Sequence, residues 1–432
     1  MKVLIIAYHF PPILGAQSIR WANLTNELCK LGISIDILTV KVPVSYNNYP
    51  FKFEKDIKVY RAYPGVIEGL FFKASSHMKV ITGGKHFIKT SAIYLFGKKA
   101  ALLVRKILDT LLLHDLRIEW FPFALHFIKK HLNINEYDVV VTSHEPGVDS
   151  LLGLYLKHKY KIRWIADFGD PFVASYTPKW RKPIDVWIEK VIYTYANIII
   201  LTNKTVQNSI VQRYNIEPKK IYIVPQGFDY ELTKKYGLSR YKNNDKFVIT
   251  YTGTFYKEFR NPSELINAIY ELSELPIKLI IVGQNELMVD MFQPIKDKII
   301  FIPSVSHEQA IEYQLNCDTL LHMTNKYKEQ IPGKIYEYLG AAKPVLCVTY
   351  NSDDESAMLI SQLKRGIIVE NNKTDIKRAI KTLYELWSAH KLNENFDLTI
   401  ENCYQYSWQY HAKTLYSILI KQGPTINPKN TI

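Results

Sequence analysis

Short, continuous apolar runs alternate with helix-patterned segments along most of the 432-residue chain, and this alternation restricts the fold more than any other feature. "KVLIIAY", Lys2 to Tyr8, is a run of the kind found in strands buried on both faces of a parallel sheet. A loop, "HFPPILGAQ", leads into "SIRWANLTNELCKLG", where Ile19, Ala22, Leu24 and Leu28 fall near helical spacing and Gly32 is a natural stop. "ISIDILTV" is the next strand. Strand, loop, helix and strand in that order make the opening unit of a doubly wound domain.

The same grammar recurs. "YDVVVTSH" and "IRWIADF" flank the helix-like "GVDSLLGLYLKH"; "ANIIILTN" precedes another helix, and "KIYIVPQGFD" closes the series. The charged, poorly patterned "YELTKKYGLSRYKNNDK" reads as a linker. A second alternation follows: "FVITYTGTF", "IKLIIVG", "IIFIPSV", "CDTLLHMT", "KPVLCVTY" and "RGIIVE". The expectation is an α/β protein of two doubly wound, Rossmann-like domains, about 1–228 and 245–400, with an interdomain cleft. Ligands in such sheets sit outside the carboxyl ends of the strands. The segment 401–423 reads as a final helix that packs back toward the first domain.

One segment, about 69–130, breaks the pattern as a basic insertion. From Gly69 to Leu108 there is no Asp or Glu but there are eight Lys and Arg, with Phe71, Phe72, Phe87, Tyr94 and Phe96 interleaved. Three readings compete: a solvated insertion, contact with an anionic membrane surface, and single-stranded nucleic acid. No nucleic-acid motif accompanies the segment, so no nucleic-acid partner is expected and the membrane surface is preferred. The net charge of +14 also favours an acidic partner. Cys29, Cys317, Cys347 and Cys403 are scattered without a CxxC pair, which favours a reducing cytoplasm over a disulfide framework. Pro11 and Pro12 cut short the first apolar run, so it reads as a strand rather than a signal peptide. No stretch approaches the ~18 apolar residues of a spanning helix, so a soluble or peripheral protein is expected.

In "KEQIPGKIYEYLGAAKPVL", Lys328 to Leu346, a helix from Gly333 places Ile335, Tyr338, Leu339 and Ala342 on one core-facing stripe. Glu337 is rotated about 200° from Ile335 and is expected to point away from the core, into bulk solvent or the cleft. Pro332, Gly333 and Lys334 sit where the helix starts. There the free amides and the dipole suit phosphate, with Lys334 adding a charge. On this chemistry alone, a nucleotide site and an ordinary solvated helix face are equally open.

Taken in order and spacing, these segments resemble the retaining family-4 glycosyltransferases of the GT-B fold, in particular those of bacterial surface-polysaccharide biosynthesis. The resemblance runs over nearly the whole chain. "PPILGAQSIRWANLTNELCKLGISIDILT" looks like the family's Gly-rich first loop, helix and second strand. "RWIADFGDPF" resembles a segment of one polysaccharide-related branch, and "VPQGFD" the family's end-of-first-domain "PNGVD". "YTGTFYKEFRNPSELINAI" looks like the donor-phosphate loop, and "GKIYEYLGAAKPVL" like the family's ribose-binding region. The resemblance implies that Glu337 binds the donor ribose, that Glu329 contacts the donor sugar, and that Arg260 neutralises the diphosphate. Gly253 lets its loop approach the diphosphate. Where the family has a second phosphate-binding Arg this chain has Thr254, which shifts weight to Arg260, Lys257 and Lys334. Gly15 and Ala16 match the family's Gly-Gly loop, so the close approach there rests on Gly15. His144 matches a histidine that contacts the donor sugar; a satisfied loop histidine is the competing reading. Ala342 stands where the family has a helix-capping Gly.

Asp167 and Asp170 in "DFGDP" lack the usual metal-binding spacing, and the family resembled works without metal, so no metal and no cofactor are expected. Their role is read as structural or acceptor-side. The implied enzyme moves a sugar from a nucleotide diphosphate sugar to a hydroxyl acceptor on a lipid-linked or polysaccharide precursor. Its expected place is cytoplasmic, peripheral at the inner face of the cell membrane. The alternatives are a sugar-nucleotide epimerase of the same fold and a non-catalytic partner subunit with an eroded site.

Overall fold

In the computed structural model of the chain, the described residues are 1–43, 49–72, 115–173, 177–236, 245–285, 288–326 and 331–421. They form two compact units. Met1–Pro225 and the chain from Ala412 on make the first; Gln226–His411 make the second.

The first unit carries seven parallel strands: β1 (Lys2–Ile6), β2 (Ser34–Val40), β3 (Lys58–Ala62), β4 (Val139–His144), β5 (Arg163–Phe168), β6 (Ile198–Leu201) and β7 (Ile221–Ile223). Their order is β3-β2-β1-β4-β5-β6-β7. β1 pairs with β2 on one side, Val3 opposite Ile35, and with β4 on the other, Val3 opposite Val139. The continuous apolar runs are explained by burial on both faces: every residue of β4 and β6 is buried. β3 carried no such signal. It is an edge strand, "KVYRA", with only Ala62 buried, so its sequence is not a continuous apolar run.

The expected basic insertion of about 69–130 does not extend to 130. The Trp120–His131 helix buries Trp120, Ala124 and Ile128, one stripe at fourfold spacing, in the core of the first unit. Most of the acid-free stretch, residues 73–108, lies outside the described residues.

The second unit has six parallel strands: β8 (Phe247–Thr252), β9 (Ile277–Val282), β10 (Ile299–Ile302), β11 (Thr319–Met323), β12 (Val345–Thr349) and β13 (Gly366–Glu370), ordered β10-β9-β8-β11-β12-β13. The division between the units falls at Pro225/Gln226, slightly before the expected 228. Phe228 is drawn into the second unit because its amide donates to Tyr406 O (3.3 Å) and its carbonyl accepts from Trp408 N (2.9 Å). The last helix is Trp408–Ile420, and its later half belongs to the first unit, where Arg163 at the start of β5 donates to Ile418 O (2.8 Å). Among the described residues, no helix is long and apolar enough to cross a membrane.

The Lys334–Gly340 helix ends through Ala342, whose φ is 53°. A non-glycine residue in that region meets its own carbonyl through Cβ, at roughly 1 kcal/mol or more. Ala342→Gly is therefore expected to stabilise the protein by about 1 kcal/mol, less the extra freedom glycine has when unfolded. A urea midpoint that falls or stays unchanged would contradict this.

Candidate functional site

In an open parallel sheet, the place where the strand order reverses leaves a crevice at the carboxyl ends of two neighbouring strands. In the second unit those strands are β8 and β11. Gly253 follows β8 with φ 151°, a conformation that favours glycine. Its amide donates to Val282 O (2.8 Å), and its carbonyl accepts from Asn285 Nδ2 (2.9 Å). Asn285 also accepts from Phe255 N (2.8 Å), so the loop after Gly253 is pinned at both ends.

The turn from Tyr256 to Arg260 closes by an Arg260 N–H to Tyr256 O bond of 2.7 Å. It sets the Arg260 guanidinium over the Tyr256 ring, 5.3 Å from its centroid, and lets Nη1 donate to Tyr251 Oη (3.3 Å). Tyr251 Oη donates in turn to Thr254 O (3.1 Å). Arg260 Nε is buried without a hydrogen-bond partner among the described residues. Lys257 is exposed in the same turn.

Glu337 differs from its sequence expectation. Ile335, Tyr338 and Leu339 do bury on the core stripe, but the Glu337 face is covered rather than open, and its side chain is only 11% exposed. The covering comes from the His307–Leu315 helix, which was invisible to a count along residues 333–342. Oε1 contacts His307 Nε2 (3.1 Å); Oε2 accepts from Gln314 Nε2 (3.0 Å) and Lys334 Nζ (3.3 Å). Burial alone would raise the Glu337 pKa. Lys334, His307 and the bond from Gln314 outweigh it and hold the carboxyl well below the usual carboxylate range, so it is ionised.

Gln314 uses its second N–H on Thr252 Oγ1 (3.0 Å), and Thr252 N donates to Tyr338 Oη (2.9 Å). Two hydrogen bonds therefore link Glu337 to the residue before Gly253. Gly253, Arg260, Lys334 and Glu337 come together around the end of β8. Gly333 has ordinary helical φ (−57°), so its role is room rather than conformation: a Cβ there would lie 3.0 Å from Gln226 Cγ. Of the amides expected at this helix start, Ile335 N already donates to Pro332 O (3.1 Å) and Tyr336 N to Gly333 O (3.2 Å). Glu329 lies outside the described residues.

His307, Gln314 and His322 were missed by reading the sequence. His322 lies 2% exposed on β11, and burial together with the charge of Arg260 lowers its pKa to about 3, so the imidazole is neutral. Its signal was a histidine inside the apolar run "CDTLLHMT".

In the first unit the reversal lies between β1 and β4, which brings the loop before Gly15 and the end of β4 to one place. Gly15 is extended (φ 177°), and a Cβ there would meet nothing within 4 Å. Its backbone does not demand glycine; what it provides is open space before the Ala16–Lys30 helix. His144 ends β4 and is 1% exposed. Its Nδ1 lies 3.2 Å from Ser150 Oγ, and its ring packs on Phe168 (4.6 Å) and Phe172 (4.9 Å), the environment of a satisfied histidine.

Asp167 is structural. It is fully buried and accepts from Arg20 Nη2 (2.8 Å), Arg20 Nε (3.1 Å) and Trp21 Nε1 (3.0 Å). Asp170 instead pairs with Glu145. The His144–Phe168 register sets the two acids just beyond the ends of adjacent strands. Burial, then the neighbouring Asp170 charge and hydrogen bond, push the Glu145 carboxyl well above the usual range.

Residues 239–398 match the family of glycosyl transferases group 1, and residues 95–232 match Glycosyltransferase Family 4. A relative from Campylobacter jejuni, N-acetylgalactosamine-N,N'-diacetylbacillosaminyl-diphospho-undecaprenol 4-alpha-N-acetylgalactosaminyltransferase, is 22% identical over 281 residues, 63% of this chain and 74% of that protein. Among solved structures, sucrose-phosphate synthase from Thermosynechococcus elongatus superposes with a TM-score of 0.66 at 14% identity, covering 97% of this chain and 98% of its own. HepE of Anabaena in complex with UDP gives 0.62 at 12% identity, covering 97% and 99%.

Proposed function

This chain belongs to the family-4 glycosyltransferases and has the GT-B fold, and from that membership we propose that it moves a sugar from a nucleotide diphosphate sugar to a hydroxyl of a lipid-linked or polysaccharide precursor. The observation that carries this reading is the ionised Glu337, held by His307, Gln314 and Lys334 and tied through Gln314 and Thr252 to the glycine turn at the end of β8. A carboxylate has about four acceptor directions, and three are used. Lys334, 33% exposed, is the partner free to turn to the phosphates, which opens Oε2 to a ribose hydroxyl.

Arg260, with Lys257 and Lys334, faces the diphosphate, and Gly253 lets the backbone approach it. As the bond between the anomeric carbon and the phosphate oxygen breaks, negative charge grows on the diphosphate, and a preorganised guanidinium stabilises it. The acceptor oxygen bonds to the same carbon on the same face, and its proton passes to the departing phosphate. Retention then needs no protein nucleophile, no metal and no cofactor. Glu329 is assigned to the donor sugar. The activity named for the Campylobacter relative supports a diphospho-undecaprenol type of acceptor, which would place the work at the inner face of the membrane. The acid-free stretch from Gly69 to Leu108 is assigned to that surface.

Hydrogen bonds to a charged group are worth about 1.5–3 kcal/mol, so Glu337→Ala is expected to weaken nucleoside diphosphate binding about 10- to 100-fold. Calorimetry reads the affinity, and a thermal melt shows whether the variant stays folded after His307, Gln314 and Lys334 lose their shared partner. A folded variant with unchanged affinity would sink the ribose assignment.

A further inference from the structure

The Lys182–Tyr195 helix of the first unit has two apolar faces. The inner one is the expected core stripe: Ile188, Ile192 and Tyr193 are buried. On the outer side Ile184, Trp187, Val191 and Tyr195 follow one another at i, i+3, i+7 and i+11, within about 80° of arc. Trp187 is 65% exposed, Ile184 43% and Tyr195 44%; Trp180, in the turn just ahead of the helix, is 54% exposed. Two largely exposed tryptophans seven residues apart in sequence need a reason, because each leaves a large apolar area in water.

The charges sort in the same direction. Both acids of the helix are turned inward and fully buried. Asp185 accepts from Arg181 Nε (2.8 Å), while Glu189 is held by Val173 N (3.2 Å) and Arg213 Nη1 (3.3 Å). Lys190 is exposed about 60° from the edge of the outer stripe, and Lys179 and Lys182 are exposed at the start of the helix. The outer surface of this helix therefore shows tryptophan, aliphatic and lysine side chains and no carboxylate.

We propose that this outer face docks on the headgroup–acyl boundary of an anionic bilayer, with Trp180 and Trp187 as the inserting side chains. Tryptophan combines a large apolar ring with one N–H and partitions to that boundary; lysines beside it pair with lipid phosphates. A second copy of the chain is the poorer occupant. Apposing two such faces would bring the same lysines together in a protein that already carries +14. The choice of a bilayer rests on the reading of a lipid-linked acceptor, and it adds to the basic stretch between Gly69 and Leu108 a second contact, on this helix.

The full chain is sedimented with vesicles of phosphatidylcholine alone and of phosphatidylcholine with one third phosphatidylglycerol. Wild type is expected to bind the anionic vesicles and to be released by salt. Trp180→Ser with Trp187→Ser should lower that partition at least about tenfold. Lys179→Gln, Lys182→Gln and Lys190→Gln together should reduce the preference for anionic over neutral vesicles. Nucleoside diphosphate affinity is measured on every variant, and a thermal melt is the check on folding. Trp187→Ser alone, at the most exposed position, serves if the double variant fails that check.

Tryptophan variants that bind as wild type does would overturn the proposal, as would wild type that binds neither vesicle. A dimer in wild type that the tryptophan variants abolish would also overturn it. Wild type that binds nucleotide but no vesicle refutes the docking face and leaves the glycosyltransferase reading standing. Vesicle binding lost in the variants, with no nucleotide binding in any of them or in wild type, would do the reverse.

Discussion

Asp167→Ala is expected to cost about 3–5 kcal/mol of stability, a large share of the ~5–15 kcal/mol that holds a typical domain folded. The substitution leaves Arg20 charged with both it and the lost acid fully buried, and it removes the acceptor of Trp21 Nε1. Among the described residues, Arg20 then retains only Pro225 O (2.6 Å) as an acceptor. The loss arises from the stranded charge rather than from the intrinsic worth of the pair. Replacing both residues, Arg20→Met with Asp167→Leu, should therefore recover much of it. Urea denaturation reads both variants. A loss under about 1 kcal/mol for Asp167→Ala would mean that water reaches the pair and that the buried bridge is not structural.

Arg260→Ala is expected to lower kcat by about 10²- to 10³-fold, the usual scale for one preorganised donor aimed at developing charge. Affinity for the nucleoside diphosphate should fall much less, because the guanidinium matters most as the diphosphate leaves. Its position supports this use. Tyr256 lies under the guanidinium plane and Tyr251 Oη takes one N–H, which fixes the group before substrate arrives. Arg260→Lys should recover little, since lysine neither stacks in that manner nor offers a planar fork. Steady-state kinetics with the cognate sugar nucleotide decides the matter. A change confined to KM would replace the leaving-group role with uniform binding.

Much of the second unit's site was legible along the chain. Gly253 was placed by the resemblance of its segment to the family's donor-phosphate loop, and Lys334 because Pro332 and Gly333 marked a helix start. The angle from Ile335 correctly removed Glu337 from the core stripe. It could not reveal what lies over that face, because His307 and Gln314 are 30 and 23 residues away in sequence. In the first unit, "DFGDP" showed two acids that were hard to tell apart. Three positions separate them, yet one is the partner of a buried arginine and the other shares a hydrogen bond with Glu145.

The sequence by itself determined the layers: strands covered on both faces must be apolar throughout, so parallel sheets are written as continuous runs, whereas the exposed edge strand β3 left no such mark. Only the tertiary structure decided the order of the strands, and with it which loops meet. The reversals at β1/β4 and β8/β11 bring the loop after β1 to the end of β4 and set the Gly253 turn beside β11. The charge states followed from the same step. A carboxyl's affinity for its proton depends on burial and on neighbours supplied by other elements, so Glu337 is held ionised and Glu145 is pushed toward its protonated form for reasons that no local spacing contains.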